Sequence, residues 1–592
     1  MRGVPPLLLS AAVLLLCALP YAAGFLAAPR GSVFLGALNN LGDTGQYLAA
    51  IRQGTEGRLL YVNAYTSTAV APALIYPLYT AAGLLTAPLR LSPPVVYLAL
   101  HAVAALLLLV ALWRLCRIAS PLRPRLAFAV ALLGGGLYFP VLLLSGVLSL
   151  PFAPVVLTAP ELSLFATVLI SPHGALGLAA ELWAFASYML WRRHGRTDHL
   201  AHLAVAGLAL GLCYPFGVAV LLAVVGVDAA LRYILPDWRL PATLVAGRTY
   251  DSRLVLALVP TVALALYYAA LFHAPPWGAS NMTHLPPPDI AVLAAAFGPL
   301  LLAALPAVLA RRPATAVAGQ TTPTAVGGGT CWLEADDPGS RERVSVSVPH
   351  PTAVGRWFAM RPQSQAPVQS QAPVLTPQCP CAAMRPRSQA PVSSRVIVVW
   401  AVVNPLLLLL PLPQSGRLVS GWSVALALLA AVTLGGMRQV AARRVVGALA
   451  LSNVTLALLY LAVTWRAANP AYYAPADETA AVQWVAAHAG PADVVMASAG
   501  SGNLVVSAAR CRVVVGQNFE TFDWARAQRD VRDFYGAMTD RLARAAIVRR
   551  QHVTLVMAGP YERALGRFNP GEPGYRLVYA GGTIHVYAVR KD

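Results

Sequence analysis

The chain has 592 residues, of which 57% are hydrophobic and only 11% are charged, and its mean hydropathy is +0.61. Soluble globular proteins carry about 25% charged residues, so this composition excludes a soluble globule and predicts a polytopic α-helical membrane protein. The net charge of +20 comes from 44 basic residues against 24 acidic ones. The basic residues cluster in short turns between apolar segments, which is typical of membrane orientation and excludes nucleic acid as a partner.

Windows of about 20 apolar residues mark the predicted membrane spans. About eleven spans are predicted, at 5–28, 94–113, 126–148, 173–191, 200–213, 215–233, 254–273, 289–310, 396–413, 422–437 and 446–465. Residues 70–88 are also apolar, but counting them as a span would place a cluster of arginines outside, so they are predicted to be re-entrant or interfacial. The resulting topology is that of a multi-pass cell-membrane (inner or plasma membrane) protein with a cytoplasmic N-terminus.

Composition divides the chain into four parts. Residues 1–312 form a transmembrane core with a long first outer loop at 29–93, and the core continues over 395–466. Residues 313–394 are rich in Pro, Gln, Ser and Ala and repeat the motifs PTAVG and MRP(Q/R)SQAPV. Such a stretch has too few apolar residues to bury a core, and it is predicted to be a disordered cytoplasmic insertion.

Residues 467–592 carry an ordinary proportion of charges. A helical pattern over DETAAVQWVAAHA is followed by strand-like segments, a glycine-rich turn at Gly500 and Gly502, and a helix from Trp524 to Arg550. Strands that alternate with helices predict a small α/β domain, on the extracytoplasmic side in this topology. The glycine-rich segment AGSGN is better explained as a tight turn than as a phosphate cradle.

A polar stretch at 38–66, LNNLGDTGQYLAAIRQGTEGRLLYVNAYT, follows the first predicted span. Its one aspartate, Asp43, lies just outside the hydrocarbon, with Tyr47 and Arg52 nearby. A carboxylate in that position is suited to act as a base, and Tyr47 and Arg52 are candidates for binding the substrate. The alternative is that Asp43 only caps the helix that continues through Ile51.

The next outer loop carries an isolated carboxylate, Glu161, in TAPELSLFATVLISPHGALG, and His173 begins the following span. Two acids and a histidine from different loops make a candidate site, with Glu161 as a second catalytic acid and His173 as a substrate-binding residue. Asp43, Glu161 and His173 are also the candidate ligands for a divalent cation, a possible cofactor, near a phosphate. The alternatives are a solvated loop acid and a histidine that caps its helix.

Three further features border the same region. Arg417, in QSGRLVSGW, is a lone outer arginine beside a span and a candidate for binding a lipid phosphate, although it is also placed to extend towards lipid headgroups. Tyr214-Pro215 interrupts an apolar run and predicts a hairpin turn that closes the same cavity. Glu181, an acid within a span, is a functional candidate that ranks below Asp43.

These motifs together resemble the GT-C superfamily of polytopic glycosyltransferases, and more closely bacterial membrane proteins related to it. The resemblance rests on the order of LGDTGQYLAAIRQGTEG, YT at Tyr65, ELSLFATVLISPHGAL, the Tyr214-Pro215 break, NMTHLPPP, GQNFETFDW and AGPYERALGRF. It covers almost the whole chain outside 313–394. The chain departs from the commoner GT-C pattern in having one aspartate with no acid beside it, rather than an adjacent pair of acids, in the first loop.

The resemblance implies a membrane glycosyltransferase with Asp43 as catalytic base, Glu161 as a second acid and Arg417 beside the donor phosphate. The implied partners are membrane lipids, a sugar donor on polyprenyl phosphate and a glycan or lipid acceptor on the outer face. Two other functions stay open. A lipid or polysaccharide transporter or flippase predicts inverted repeats and broken or charged midplane helices, and a non-catalytic anchor with a glycan-binding C-terminal domain predicts that Asp43 is dispensable.

Overall fold

The computed structural model describes residues 4–38, 41–148, 160–234, 249–274, 276–279, 287–309, 392–412, 414–465, 472–566, 568–569 and 571–590. The predicted insertion at 313–394 lies outside the described residues, apart from its last three positions, which begin a helix.

The membrane region and the first loop are helical. Their helices are α1 (Pro6–Leu26), α2 (Leu41–Thr55), α3 (Pro77–Thr86), α4 (Pro93–Ala119), α5 (Pro124–Leu133), α6 (Tyr138–Val147), α7 (Leu164–Ile170), α8 (Pro172–His194), α9 (Thr197–Cys213), α10 (Pro215–Ile234), α11 (Thr249–His273), α12 (Ile290–Leu309), α13 (Val392–Leu407), α14 (Trp422–Gly436) and α15 (Gln439–Trp465). Short 3₁₀ turns lie at Ala87–Leu89, Pro160–Leu162, Trp277–Ala279 and Ser415–Val419.

Ten of the eleven predicted spans each coincide with one of these helices, whereas the span predicted at 126–148 is divided between α5 and α6. The chain is a multi-pass membrane protein. Within the described residues, eight helical segments are long and apolar enough to cross a membrane. The predicted spans that fall outside these eight are α9 and α13, which are shorter, and α8, which ends in charged residues. Helix α3 has ten residues and is about 15 Å long, too short to cross about 30 Å of hydrocarbon, which agrees with the prediction that residues 70–88 do not form a span.

The C-terminal region adds helices and two sheets. Its helices are α16 (Ala476–His488), α17 (Ala499–Ala508), α18 (Trp524–Tyr535), α19 (Arg541–Arg550) and α20 (Pro560–Leu565). The strands of the chain are β1 (Ser32–Phe34), β2 (Tyr473–Pro475), β3 (Val494–Met496), β4 (Arg512–Val513), β5 (Leu555–Ala558), β6 (Tyr575–Gly581) and β7 (Ile584–Val589).

Five strands form the sheet of the C-terminal domain in the order β4-β3-β5-β7-β6. Strand β3 lies parallel to both β4 and β5, whereas β7 is antiparallel to β5 and to β6. The chain leaves β3 through α17 to reach β4 on one side, and it returns through α18 and α19 to β5 on the other side. The connections therefore diverge between β3 and β5, so the predicted α/β domain has a topological switch point there.

Two sequence predictions in this domain are wrong. The glycine-rich segment at Gly500 and Gly502 is not a turn but the first part of α17, because the Ser498 side chain accepts a hydrogen bond from the Ser501 N–H and starts the helix. The single helix expected from Trp524 to Arg550 is two helices, since α18 ends before Gly536 and Asp540 caps a new helix, α19. Charged residues continue across the break between α18 and α19, so the sequence pattern does not reveal it.

The first loop folds against the C-terminal domain. Strands β1 and β2 pair in antiparallel register, which ties the segment after α1 to the segment after α15. The side chains of Ile51 and Tyr61 from the loop share one buried cluster with Val495, Val505 and Met557 from the domain. Burial of this shared apolar surface makes the loop and the domain parts of one folded unit.

Helices α2 and α3 cross at a pair of glycines. A Cβ atom at Gly83 would lie 2.0 Å from the backbone oxygen of Ile51, and one at Gly54 would lie 2.1 Å from that of Thr80. Real Cβ atoms do not approach so closely, so these positions require glycine. The close crossing fixes the direction of α2, and thereby the position of the residues in its first turn.

Candidate active site

Asp43 lies in the first turn of α2, where a carboxylate interacts favourably with the helix dipole. Gln517 of the C-terminal domain donates a hydrogen bond from its Nε2 to Asp43 Oδ1 over 2.8 Å. The Gln517 amide oxygen accepts from the N–H groups of Phe519 and Glu520. Because those donors fix the oxygen, the amide nitrogen has to face Asp43. The domain thus orients the first-loop carboxylate, which remains partly exposed.

Glu161 and Arg417 form an ion pair between the turn at Pro160–Leu162 and the turn before α14. Arg417 Nη1 lies 2.8 Å from Glu161 Oε1, and the Glu161 side chain is only 5% exposed. Tyr214 also donates to Glu161 Oε1, over 2.6 Å, from the junction between α9 and α10. The predicted hairpin turn at Tyr214-Pro215 is therefore present and borders the same site, and Arg417 neutralises a carboxylate that would otherwise be buried without a counter-charge.

A stack of aromatic rings joins the two ends of the site. The rings of Tyr47 and Tyr79 are stacked with centroids 4.3 Å apart, and Tyr47 lies 5.1 Å from the ring of His173. A hydrogen bond of 2.9 Å joins the Tyr79 hydroxyl to His173 Nδ1. The His173 ring in turn lies 6.5 Å from the ring of Tyr214. Burial, and then the charge of Asp43, raise the pKa of the Tyr47 hydroxyl, which keeps it protonated as a hydrogen-bond donor.

Arg52 is not part of this cluster. It lies nine residues after Asp43 on α2, about 13 Å along the helix, and its Nη1 pairs with Glu56 over 2.7 Å. Glu56 also pairs with Arg510 of the C-terminal domain over 3.1 Å. The structure therefore places Arg52 in the contact between the loop and the domain, away from the five other residues predicted for the site.

A second buried acid, Glu520, lies close to Asp43. Its side chain is 0% exposed, and the Tyr76 hydroxyl donates to its Oε1. Burial, together with the charge of Asp43, raises the pKa of Glu520 to about 8 although the bond from Tyr76 lowers it. The Asn63 side-chain amide also donates a hydrogen bond to the backbone oxygen of Glu520 over 2.8 Å. The sequence motif GQNFETFDW contained both Gln517 and Glu520, but no pattern in it indicated that they meet the first loop.

Glu181 is buried within α8. Ser420 donates to its Oε2 over 2.9 Å, and a Cβ atom at Gly421 would lie 2.7 Å from its Oε1. Gly421 has a positive φ of 71°, so the chain turns tightly around this acid just before α14. Glu181 thus braces the segment that carries Arg417.

The predicted cation ligands do not fit a metal ion in this arrangement. Glu161 is paired with Arg417 and Tyr214, His173 is bonded to Tyr79, and Asp43 is bonded to Gln517. In the described part of the chain, no group of three His, Cys, Asp or Glu side chains is placed to hold a metal. The chemistry derived below therefore uses only protein side chains.

Comparison with known proteins gives a likeness in structure only. No family model matches the sequence, and no curated protein matches it significantly. The apo oligosaccharyltransferase of Archaeoglobus fulgidus superposes with a TM-score of 0.50 at 9% identity, covering 98% of this chain and 74% of that one. The chain has the GT-C fold. Apo ArnT of Cupriavidus metallidurans is a further similar structure, with a TM-score of 0.48 at 12% identity and 98% of each chain covered. The likeness to the oligosaccharyltransferase structure confirms the fold that the sequence motifs implied.

Proposed function

We propose that this chain is a membrane glycosyltransferase that moves a sugar from a polyprenyl-phosphate donor to an acceptor hydroxyl on the outer face of the membrane. The observation that carries the proposal is the placement of Asp43. A partly exposed carboxylate begins a rigidly packed helix beside the membrane core, and Gln517 holds it from the C-terminal domain. The structure that matches the fold is named an oligosaccharyltransferase.

In the proposed reaction Asp43 accepts the proton of the acceptor hydroxyl. The acceptor oxygen then forms a bond to the anomeric carbon of the donor sugar, while the bond from that carbon to the phosphate oxygen breaks and its electron pair leaves with the phosphate. Direct displacement inverts the anomeric centre. Holding both partners in line is the main contribution of the protein, and proton removal by a fixed carboxylate adds typically 10²–10⁴-fold.

The leaving phosphate requires a cation, and Arg417 is proposed for that role. A guanidinium has five N–H donors, and the contacts with Glu161 and Gln414 use its Nη1 and Nε. Its side chain is 26% exposed, unlike that of Glu161. Arg417 therefore has donors and access for a phosphate oxygen while Glu161 and Tyr214 hold it in place.

Release of polyprenyl phosphate tests the function directly. The purified chain in nanodiscs is incubated with a mixed extract of membrane glycans and lipids, which supplies acceptor hydroxyls, and with a panel of polyprenyl-phosphate donors, each carrying a different radiolabelled sugar. Lipid extracts are then separated. We expect release with at least one donor, and a higher KM for that donor in Arg417→Gln. Absence of release from every donor, with the chain folded and monodisperse, contradicts the proposal and favours a transporter or an anchor.

A further inference from the structure

A cavity of about 120 Å³ lies between the first-loop helix and the C-terminal domain. Its walls come from Thr44 and Gly45 of α2, from Tyr473 of β2, and from Gly500, Asn503 and Tyr561 of the domain. A cavity of about 150 Å³ accommodates benzene, so this cavity has room for most of one six-membered ring. Gly500 and Tyr561 are exposed, so the substituents of the ring extend towards solvent on their side.

The cavity lies where the topology of the domain favours a ligand. Gly500 and Asn503 are on α17, which directly follows β3, and Tyr561 is on α20, which directly follows β5. Both helices therefore begin at the carboxyl ends of β3 and β5, which are neighbouring parallel strands whose connections diverge. In open α/β sheets, ligands bind in the crevice at such a switch point.

The charges around the crevice select a neutral ligand. The loops after β3 and β5 offer the backbone N–H groups of Ser498 and Gly559, the usual donors for a phosphate at such a site. Here the carboxylate of Glu562 accepts from both, over 2.8 and 3.0 Å. A second carboxyl, Glu478, is buried beside Ser501, which donates to it over 2.8 Å. The two backbone N–H groups already donate to Glu562, and the carboxyl groups of Glu562 and Glu478 would repel an anion. A phosphate is therefore disfavoured.

The lining matches a neutral molecule with hydroxyl groups and an apolar face. Thr44, Ser507 and Asn503 bring hydroxyl and amide groups to the wall. Tyr473 and Tyr561 bring aromatic rings. The Tyr473 hydroxyl donates to the Thr464 backbone oxygen over 2.7 Å, so its ring supplies apolar area. A wall that is mostly apolar with a few placed polar groups is the usual composition of a small-molecule site.

We infer that this cavity binds a neutral sugar ring of a glycan acceptor, beside the turn of α2 that carries Asp43. The assignment of the sugar to the acceptor rests on the proposed function: Thr44 and Gly45, which form one wall of the cavity, lie in the same turn of α2 as the proposed base. The binding itself does not depend on transfer.

The cavity offers a filling variant that spares the fold. Gly500 lines the cavity, lies in α17 and is not among the residues with positive φ, and a Cβ atom there meets no atom within 4 Å. Leucine is also a better helix former than glycine, so Gly500→Leu fills the cavity without displacing the backbone. Gly447→Leu is the matched control, because Gly447 also lies in a helix, α15, and its Cβ position is equally open.

Saturation-transfer NMR on the full chain in nanodiscs tests the inference, with a panel of neutral methyl hexopyranosides as probes. We expect at least one glycoside to bind the wild type and Gly447→Leu equally, and to bind Gly500→Leu at least tenfold more weakly. Binding unchanged in Gly500→Leu, or no glycoside binding to the wild type, overturns the inference. Stronger binding of inorganic phosphate than of any glycoside, lost in Gly500→Leu, overturns the claim of a neutral ligand.

The two proposals fail in different ways. Glycoside binding that is lost in Gly500→Leu, in a chain that releases no polyprenyl phosphate from any donor, supports the cavity and refutes the transferase. Release of polyprenyl phosphate that is equal in the wild type and Gly500→Leu, with glycoside binding unaffected, supports the transferase and refutes the cavity as the acceptor site.

Discussion

The buried carboxyl of Glu520 makes the contact between the first loop and the C-terminal domain sensitive to pH. Its pKa of about 8 in the folded chain compares with an ordinary value of 4.5. Below pH 4.5 the group is protonated in both the closed and the locally opened segment and has no differential effect. Between these two pKa values only the closed state retains the proton, so the stability of the contact falls as pH rises, and the loss is complete above pH 8.

The magnitude follows from the two pKa values. One pKa unit corresponds to about 1.4 kcal/mol, and linkage over the interval from pH 6 to pH 8 gives a loss of roughly 2 kcal/mol. That is about a 30-fold rise in the opening equilibrium. Glu520→Gln mimics the protonated acid and keeps an acceptor for the Tyr76 hydroxyl, so it removes the pH dependence.

Hydrogen exchange of the segment 515–522 measures this opening. Within this segment, the N–H of Thr521 donates to the backbone oxygen of Gln517, and the N–H of Gly516 donates to the Thr521 hydroxyl. After correction for the intrinsic exchange rates, we expect protection to fall about 30-fold between pH 6 and pH 8 in the wild type and to stay constant in Glu520→Gln. Asp533→Asn, which changes an exposed acid on α18, is the control. A pH dependence that persists in Glu520→Gln refutes the reasoning.

Three further outcomes follow from the site and its packing. Gln517→Leu removes the hydrogen bond to the Asp43 carboxylate, which is worth about 1.5–3 kcal/mol. We therefore expect kcat for sugar transfer to fall at least tenfold with the donor KM unchanged. A change in KM alone contradicts a positioning role for Gln517. Arg417→Gln leaves Glu161 buried without its ion pair, which costs about 3–5 kcal/mol; Tm measured in detergent drops, and adding Glu161→Gln recovers most of the loss, whereas additive losses contradict the pairing. Gly83→Ala forces a Cβ into a backbone carbonyl of α2 and lowers Tm, whereas Gly500→Ala, with an open Cβ position, does not; equal Tm values in the two variants contradict the close crossing.

The sequence was sufficient for features that depend on local apolar patterns. The spans follow from runs of apolar residues, and the Tyr214-Pro215 break follows from proline chemistry, so both agree with the structure. The acid at the start of α2 was also found, because one aspartate stands out in a long polar loop. The fold was implied by the order of motifs along the chain and matches the structural likeness.

The rest depends on contacts between segments far apart in the chain. Gln517 and Asp43 are separated by 474 positions, and nothing in the local pattern of either residue points to the other. The ion pair of Glu161 with Arg417 likewise joins two loops, so each was predicted only as a separate candidate. Proximity to Asp43 in sequence predicts that Arg52 lies in the site, but helix geometry places it at the far end of α2.

The role of Asp43 is the central claim, and one comparison tests it most directly. Asparagine at position 43 keeps an oxygen for the Gln517 amide but cannot accept the acceptor proton, so the geometry is retained and only the base is lost. Asp198→Asn, which changes an exposed acid paired with Arg196, is the matched control. With the donor that the wild type consumes, we expect transfer of radiolabelled sugar to fall at least 100-fold in Asp43→Asn and to be unchanged in Asp198→Asn. Equal transfer by the wild type and Asp43→Asn contradicts the account.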